Sequence, residues 1–259
     1  MQLIKRIIGF FFFLYYCIFF IPVTAIFALI VLIASALGIR YDKFYRLMAR
    51  LWGKTGQWLA FSPVKVLHPE KAKTKEGCGV IISNHQSGFD ILAGLGYYPV
   101  DFLFMSKKEM FKIPLVGPAM KRLGYISVDR QNPKRAAKSL EEAIAKIRQG
   151  YYVLIYPEGT RSQNPRQMLP FKAGTIKVAR EGKIPLVPIV LYGTQEINNP
   201  WIKMCLLPHK VIISVMDPIY ADNPLHPANE QSKYSDKERL EKLRELMMEE
   251  YDRLAPPKN

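Results

Sequence analysis

The sequence predicts an α/β domain, a mixed sheet flanked by helices, behind an N-terminal hydrophobic helical membrane anchor. Three observations carry this. No charged residue occurs from Ile7 to Ile39, a run longer than the roughly 20 apolar residues that cross a bilayer. After Pro63, short runs rich in Val, Ile and Leu alternate with segments of helical periodicity, which is the pattern of strands and helices sharing one sheet. The chain has 259 residues, 49% of them hydrophobic, so it can fill a sizeable core and is not disordered over most of its length. The expected division is 1–58 for the anchoring helices and 59–259 for the α/β domain.

The apolar run exceeds the core of about 7–15 residues of a cleaved signal peptide, although Ala34-Ser35-Ala36 imitates a cleavage site. Two arrangements fit it: one tilted transmembrane helix, or two shorter helices that enter and leave one leaflet. Pro22 lies near its middle, where a missing N–H and a ring clash favour a kink or break. Lys5 and Arg6 stand on one side; Arg40, Lys43, Arg46, Arg50 and Lys54 stand on the other. Cytoplasmic flanks are the basic ones, so basic residues on both sides favour the hairpin. Between Arg40 and Lys54, apolar residues at 44, 47, 48, 51 and 52 follow helical spacing. That helix suits either the headgroup level of a membrane or packing against the soluble domain.

Downstream, 79–83 is a short apolar run and reads as a buried strand, followed by 101–105 and 125–128. Asn132-Pro133 is a helix cap with proline at the first helical position. Leu140, Ala143, Ile144 and Ile147 give that helix its apolar face, and Gly150 ends it. Strands follow at 151–156, 184–192 and 211–216. Residues 222–234 are polar and proline-containing and read as a surface loop. Ser235-Asp236-Lys237-Glu238 is a capping box opening a last helix whose stripe runs through Leu240, Leu243, Met247 and Leu254.

Lys and Arg number 37 against 22 Asp and Glu, a net charge of +15. This suits an anionic partner: nucleic acid, an acidic lipid surface or a phosphorylated substrate. No nucleic-acid-binding motif is present. Cys17, Cys78 and Cys205 are isolated and odd in number, which supports neither a disulfide framework nor a zinc site and points to a reducing compartment.

Two loops beyond strand ends carry chemistry. In Asn84-His85-Gln86-Ser87-Gly88-Phe89-Asp90, a tight turn through Gly88 brings Asp90 back onto His85. Histidine takes a proton from a hydroxyl near neutral pH, and a carboxylate on its other nitrogen fixes the tautomer. The base then acts on the acceptor alcohol itself, with no protein nucleophile. Taken alone, a His-x4-Asp turn is ordinary, because both residues are common in turns. In Tyr156-Pro157-Glu158-Gly159-Thr160-Arg161-Ser162, a glycine, a hydroxyl and an arginine suit an oxyanion. Glu158 there orients Arg161 or holds a substrate hydroxyl. Lys107-Lys108, Asp129-Arg130 and Lys172 add cations beyond other strands, where each is equally an ordinary surface charge.

Together these segments resemble the glycerolipid acyltransferases. NHQSGFD (84–90) resembles the NHxxxxD block of that family, YISVDR (125–130) the second block, YPEGTRS (156–162) the third and IPLVPIVL (184–191) the fourth. The order is the family's, and the likeness covers roughly residues 75–195. It is greatest to the branch that acylates 1-acylglycerol-3-phosphate. The resemblance implies that His85 is the general base on the glycerol 2-hydroxyl and Asp90 its orienting partner. It implies substrate contacts from Asn84, Lys107, Arg130, Glu158, Gly159, Thr160 and Arg161, and a channel shaped by Pro188. It further implies an acyl-CoA or acyl carrier protein thioester as co-substrate, no cofactor and no metal. The partners would be membrane lipids, lysophosphatidic acid among them, and the site would face the cytoplasm, at the inner membrane in a bacterium. Another acceptor such as glycerol-3-phosphate, a thioester hydrolase and a non-catalytic membrane adaptor stay open as alternatives.

Overall fold

The structure, a computed structural model, describes residues 2–162, 164, 167–198 and 204–255. The helices are α1 (Gln2–Ala36), α2 (Asp42–Leu59), α3 (Phe89–Tyr97), α4 (Val116–Arg122), α5 (Pro133–Arg148), α6 (Gly174–Arg180), α7 (Thr194–Ile197) and α8 (Asp236–Leu254). The strands are β1 (Val64–Leu67), β2 (Gly79–Ser83), β3 (Phe102–Lys107), β4 (Ile126–Val128), β5 (Tyr152–Ile155), β6 (Leu186–Tyr192) and β7 (Val211–Val215). They form one seven-stranded sheet in the order β1-β7-β6-β2-β5-β3-β4. All neighbours are parallel except β6 and β7, so the sheet is mixed, as expected from the alternating pattern.

β2 lies at the centre, between β5 and β6. Val80, Ile81 and Ile82 are wholly buried, because helices cover both faces and leave no polar side for the strand to show. Each such side chain contributes about 1.5–3 kcal/mol by leaving water. Pro188 is tolerated inside β6, opposite Ile82, although it has no N–H to give the ladder.

The cap signals form as the sequence implies. Asn132 accepts the Arg135 N–H at 3.1 Å, and Gly150 turns the chain at φ +90°. Ser235 and Glu238 close their box through both bonds. The buried stripe of α8 runs through Arg239, Leu243, Met247 and Tyr251. The 222–234 segment has no helix or strand, yet it is fastened rather than merely superficial. His226 is fully buried, with Nε2 at 2.8 Å from the Ile184 carbonyl and Nδ1 accepting the Ala228 N–H. Burial holds that imidazole below its usual pKa and therefore neutral.

The apolar run departs from the expected hairpin. α1 is one continuous helix through Pro22. Thr24 Oγ1 donates to the Phe20 carbonyl at 2.8 Å and accepts Trp52 Nε1 of α2 at 3.0 Å. Phe20 stacks on Trp52, and Tyr16 packs on Phe89. α1 is thus packed against α2 and α3 on both sides of the proline. Just beyond α1, the Ile39 carbonyl accepts Tyr45 Oη and Arg122 Nη2. The outward face of α1 carries Ile4, Phe11, Ile18, Ile21, Ile26 and Ile33, all exposed. An apolar surface of this length on a helix long enough to cross a bilayer associates the chain with a membrane.

α2 crosses α3 almost backbone to backbone. A Cβ on Gly53 would lie 2.6 Å from both the Gly96 nitrogen and the Leu92 carbonyl. Gly53→Ala is therefore expected to lower stability by about 1–3 kcal/mol. Gly88 is the contrast: its φ is −64° and the space around it is open, so Gly88→Ala should change stability by no more than about 0.5 kcal/mol. Thermal midpoints of the two variants in detergent would separate them, and an equal loss in both would contradict the geometry.

Candidate active site

Because β2, β5, β3 and β4 run parallel, the loops after them emerge along one edge of the sheet. The chain after β2 enters α3 through Gly88, so Asp90 sits in the first helical turn. A helix start, rather than a glycine-dependent turn, returns Asp90 to His85. Asp90 Oδ2 lies 2.8 Å from His85 Nδ1 and accepts the N–H groups of Gln86 at 2.7 Å and Ser87 at 2.9 Å. Asp90 Oδ1 accepts the hydroxyl of Thr194, at the start of α7, at 2.5 Å.

These contacts settle the tautomer. An oxygen that accepts two backbone N–H groups belongs to a carboxylate, so Nδ1 must donate to it. The lone pair is then on Nε2, which has no hydrogen-bond partner among the described residues. The ring stacks on Tyr156 with centroids 4.0 Å apart and planes 17° from parallel, which fixes its orientation. No serine or cysteine among the described residues bonds the ring. Among the described residues no group of three His, Cys, Asp or Glu side chains is placed to hold a metal.

Asn84 is fully buried and acts as a piece of strand. Its amide donates to the Leu191 carbonyl and accepts the Leu191 N–H, both at 2.8 Å. This extends the β2–β6 pairing, which otherwise ends at Ser83 and Ile189.

The loop after β5 is tied to His85 through the main chain. Glu158 Oε1 accepts the His85 N–H at 2.7 Å, and Oε2 accepts the Leu169 N–H at 2.8 Å. The Ser162 N–H donates to the His85 carbonyl at 2.8 Å. Glu158 is 1% exposed and bonds neither Arg161 nor open solvent. Burial raises its pKa from 4.5 to about 7, against the two N–H groups, which lower it.

Gly159 adopts φ +69°, and a Cβ there would meet Lys172 Nζ at 2.8 Å. Arg130 Nη1 donates to the Gly159 carbonyl. Arg130 and Lys172 thus converge on this turn, with Thr160 and Arg161 exposed at its tip. Neither Thr160 nor Arg161 has a polar partner among the described residues. Lys107 is exposed at the end of β3, 3.7 Å from Glu109, whose charge also acts on Arg130. Lys108 and Arg135 are occupied by Asp129, and Pro188 is buried within β6. The sequence reading missed Thr194, the stacking of Tyr156 and the Leu169 N–H. Only Tyr156 had a signal, its place in the third block.

A histidine oriented by a buried carboxylate thus stands beside a turn at which Arg130, Arg161 and Lys172 gather. Residues 63–192, half of the chain, match the family model described as Acyltransferase, and the chain belongs to that family. It is 32% identical over 180 residues, 69% of its length, to the chloroplastic 1-acyl-sn-glycerol-3-phosphate acyltransferase BAT2 of Brassica napus, and covers 51% of that protein. It is 34% identical over 123 residues, 48% of its length, to 1-acyl-sn-glycerol-3-phosphate acyltransferase of Helicobacter pylori, and covers 52% of it. The chain therefore spans about half the length of the relatives it matches. The crystal structure of the 1-acyl-sn-glycerophosphate (LPA) acyltransferase PlsC from Thermotoga maritima superposes with a TM-score of 0.80 at 25% identity, covering 98% of this chain and 100% of that one.

The Glu158 carboxyl gives a pH test. Its pKa is raised on folding, so the folded state binds the proton more tightly than the unfolded one. Stability from this group is complete below about pH 4.5 and is lost as pH rises to about 7. The loss is on the order of 3 kcal/mol. Glu158→Gln should remove that slope in denaturant titrations at pH 5 and pH 8; an unchanged slope would assign it to other groups.

Proposed function

We propose that the chain transfers a fatty acyl group from an acyl-CoA or acyl carrier protein thioester to the 2-hydroxyl of 1-acylglycerol-3-phosphate, giving phosphatidic acid. The observation that carries this reading is the His85–Asp90 pair, with Nδ1 committed to the carboxylate and Nε2 left as the base. The acceptor hydroxyl gives its proton to Nε2 as its oxygen attacks the thioester carbonyl carbon. The tetrahedral adduct collapses, the C–S bond breaks, and the leaving thiolate takes the proton from the imidazolium. Asp90 stabilises that imidazolium while it exists.

Arg161, Arg130 and Lys172 hold the acceptor's phosphate in this scheme. Arg161 is exposed at the tip of the turn, and a guanidinium binds phosphate through two parallel hydrogen bonds. Asn84 and Glu158 serve by fixing the backbone around His85, since the polar atoms of both side chains are already taken up by main-chain groups. The acceptor is an amphiphile resident in the bilayer, and α1 keeps the site at that surface. The excess positive charge suits anionic lipid and the phosphates of CoA. The basic flanks of α1 favour a site on the cytoplasmic side, at the inner membrane in a bacterium.

The test is an acceptor competition in detergent, with lysophosphatidate, glycerol-3-phosphate and other lysophospholipids offered together. Lysophosphatidate should have the highest kcat/KM; a better acceptor would replace it in the assignment. His85→Ala should lower transfer at least about 1,000-fold with the fold intact, and an active variant would remove His85 as the base. Free fatty acid without acylated lipid would make the protein a hydrolase. Arg161→Gln should raise KM for lysophosphatidate about tenfold or more and leave KM for the thioester nearly unchanged. Equal changes in both constants would argue against a phosphate contact.

A further inference from the structure

One hydroxyl outside the motif-bearing loops touches the reacting pair. Thr194 is 0% exposed, and its Oγ1 lies 2.5 Å from Asp90 Oδ1. Asp90 is also 0% exposed, and no lysine or arginine forms an ion pair with it among the described residues. A buried carboxylate without a counter-ion depends on hydrogen-bond donors. Three of them, His85 Nδ1 and the N–H groups of Gln86 and Ser87, reach Oδ2. Thr194 supplies Oδ1.

We propose that Thr194 is a positioning residue of the acyl-transfer site, whose hydroxyl fixes the Asp90 carboxylate so that Oδ2 holds His85 with Nε2 aimed at the acceptor. This rests on the reading of His85 as the base. Asp90 is acceptor-only, so the threonine must donate. With Oδ1 bound, the carboxylate cannot swing about its terminal torsion and turn Oδ2 away from the ring.

The fold places this hydroxyl by three linked devices. Asn84 pairs both polar groups of Leu191 at 2.8 Å, registering the end of β6 against the end of β2. Gly193 then turns the chain at φ +95°, where a Cβ would lie 2.2 Å from the Lys210 carbonyl. Thr194 follows as the first residue of α7, across a sequence separation of 104 from Asp90. The side chain of Asn84 thus reaches the chemistry from both sides, through its neighbour His85 and through Thr194.

The experiment uses the full chain in detergent micelles containing anionic phospholipid, with oleoyl-CoA and 1-oleoyl-lysophosphatidate as substrates. Thr194→Val keeps the shape and deletes the donor; Thr194→Ser keeps the donor and deletes the methyl. A hydrogen bond to a charged group corresponds to about 10–100-fold in rate. Thr194→Val should lose kcat by about that factor with both KM values within about twofold, and Thr194→Ser should return to within about threefold of the parent. A Thr194→Val protein with parental kcat, or a serine variant as impaired as the valine one, overturns the role. If the valine protein does not fold, Thr194→Ala against Thr194→Ser decides in the same way, with equal activities overturning it. A parent protein that transfers no acyl group, assayed beside His85→Ala, refutes the function itself. An active parent with an indifferent Thr194 refutes only the positioning role.

Discussion

The site depends on a carboxylate that has been taken out of water without a basic side chain to neutralise it. Asp90 is wholly buried and is balanced by N–H and O–H donors together with the histidine ring it orients. Such an arrangement is costly unless every donor is in place. Its donors come from the loop after β2 and from the start of α7. The central strands β2 and β6 are therefore more than scaffold. Their register determines whether the second oxygen of Asp90 finds a partner at all.

The helical layer stabilises the same region from behind. Gly53 and Gly96 let α2 and α3 approach until main chain meets main chain. Gln57 of α2 donates to the carbonyl of Phe89, the residue before Asp90, at 3.3 Å. Tyr16 of α1 rests on the Phe89 ring. The membrane-associated helix and the His85–Asp90 pair are thus linked by way of a single phenylalanine.

Local signals made much of this visible in the sequence. The β2 run, the Asn132-Pro133 cap and the Ser235–Glu238 box all form, because each is specified within a few residues. The His85–Asp90 contact was visible for the same reason, since it spans five positions. α3, α4, α6 and α7 are 9, 7, 7 and 4 residues long, too short for periodicity to declare them, and α3 carries Gly96, which packing against α2 requires. Pro22 argued for a break that tertiary contacts override. Thr194 was invisible because it meets Asp90 across 104 positions, and the Leu169 N–H because a main-chain donor carries no side-chain signal.

His85 belongs to two loops at once. Its own N–H is held by Glu158 and its own carbonyl by Ser162, so the peptide unit of the base is stitched to the segment that carries Arg161. The His85 backbone and the loop after β5 are therefore held at a set distance by hydrogen bonds to the main chain of His85. In the reaction proposed above, that distance would measure how many bonds separate an acceptor's hydroxyl from its anionic group, so that regiochemistry would be a length written into the backbone.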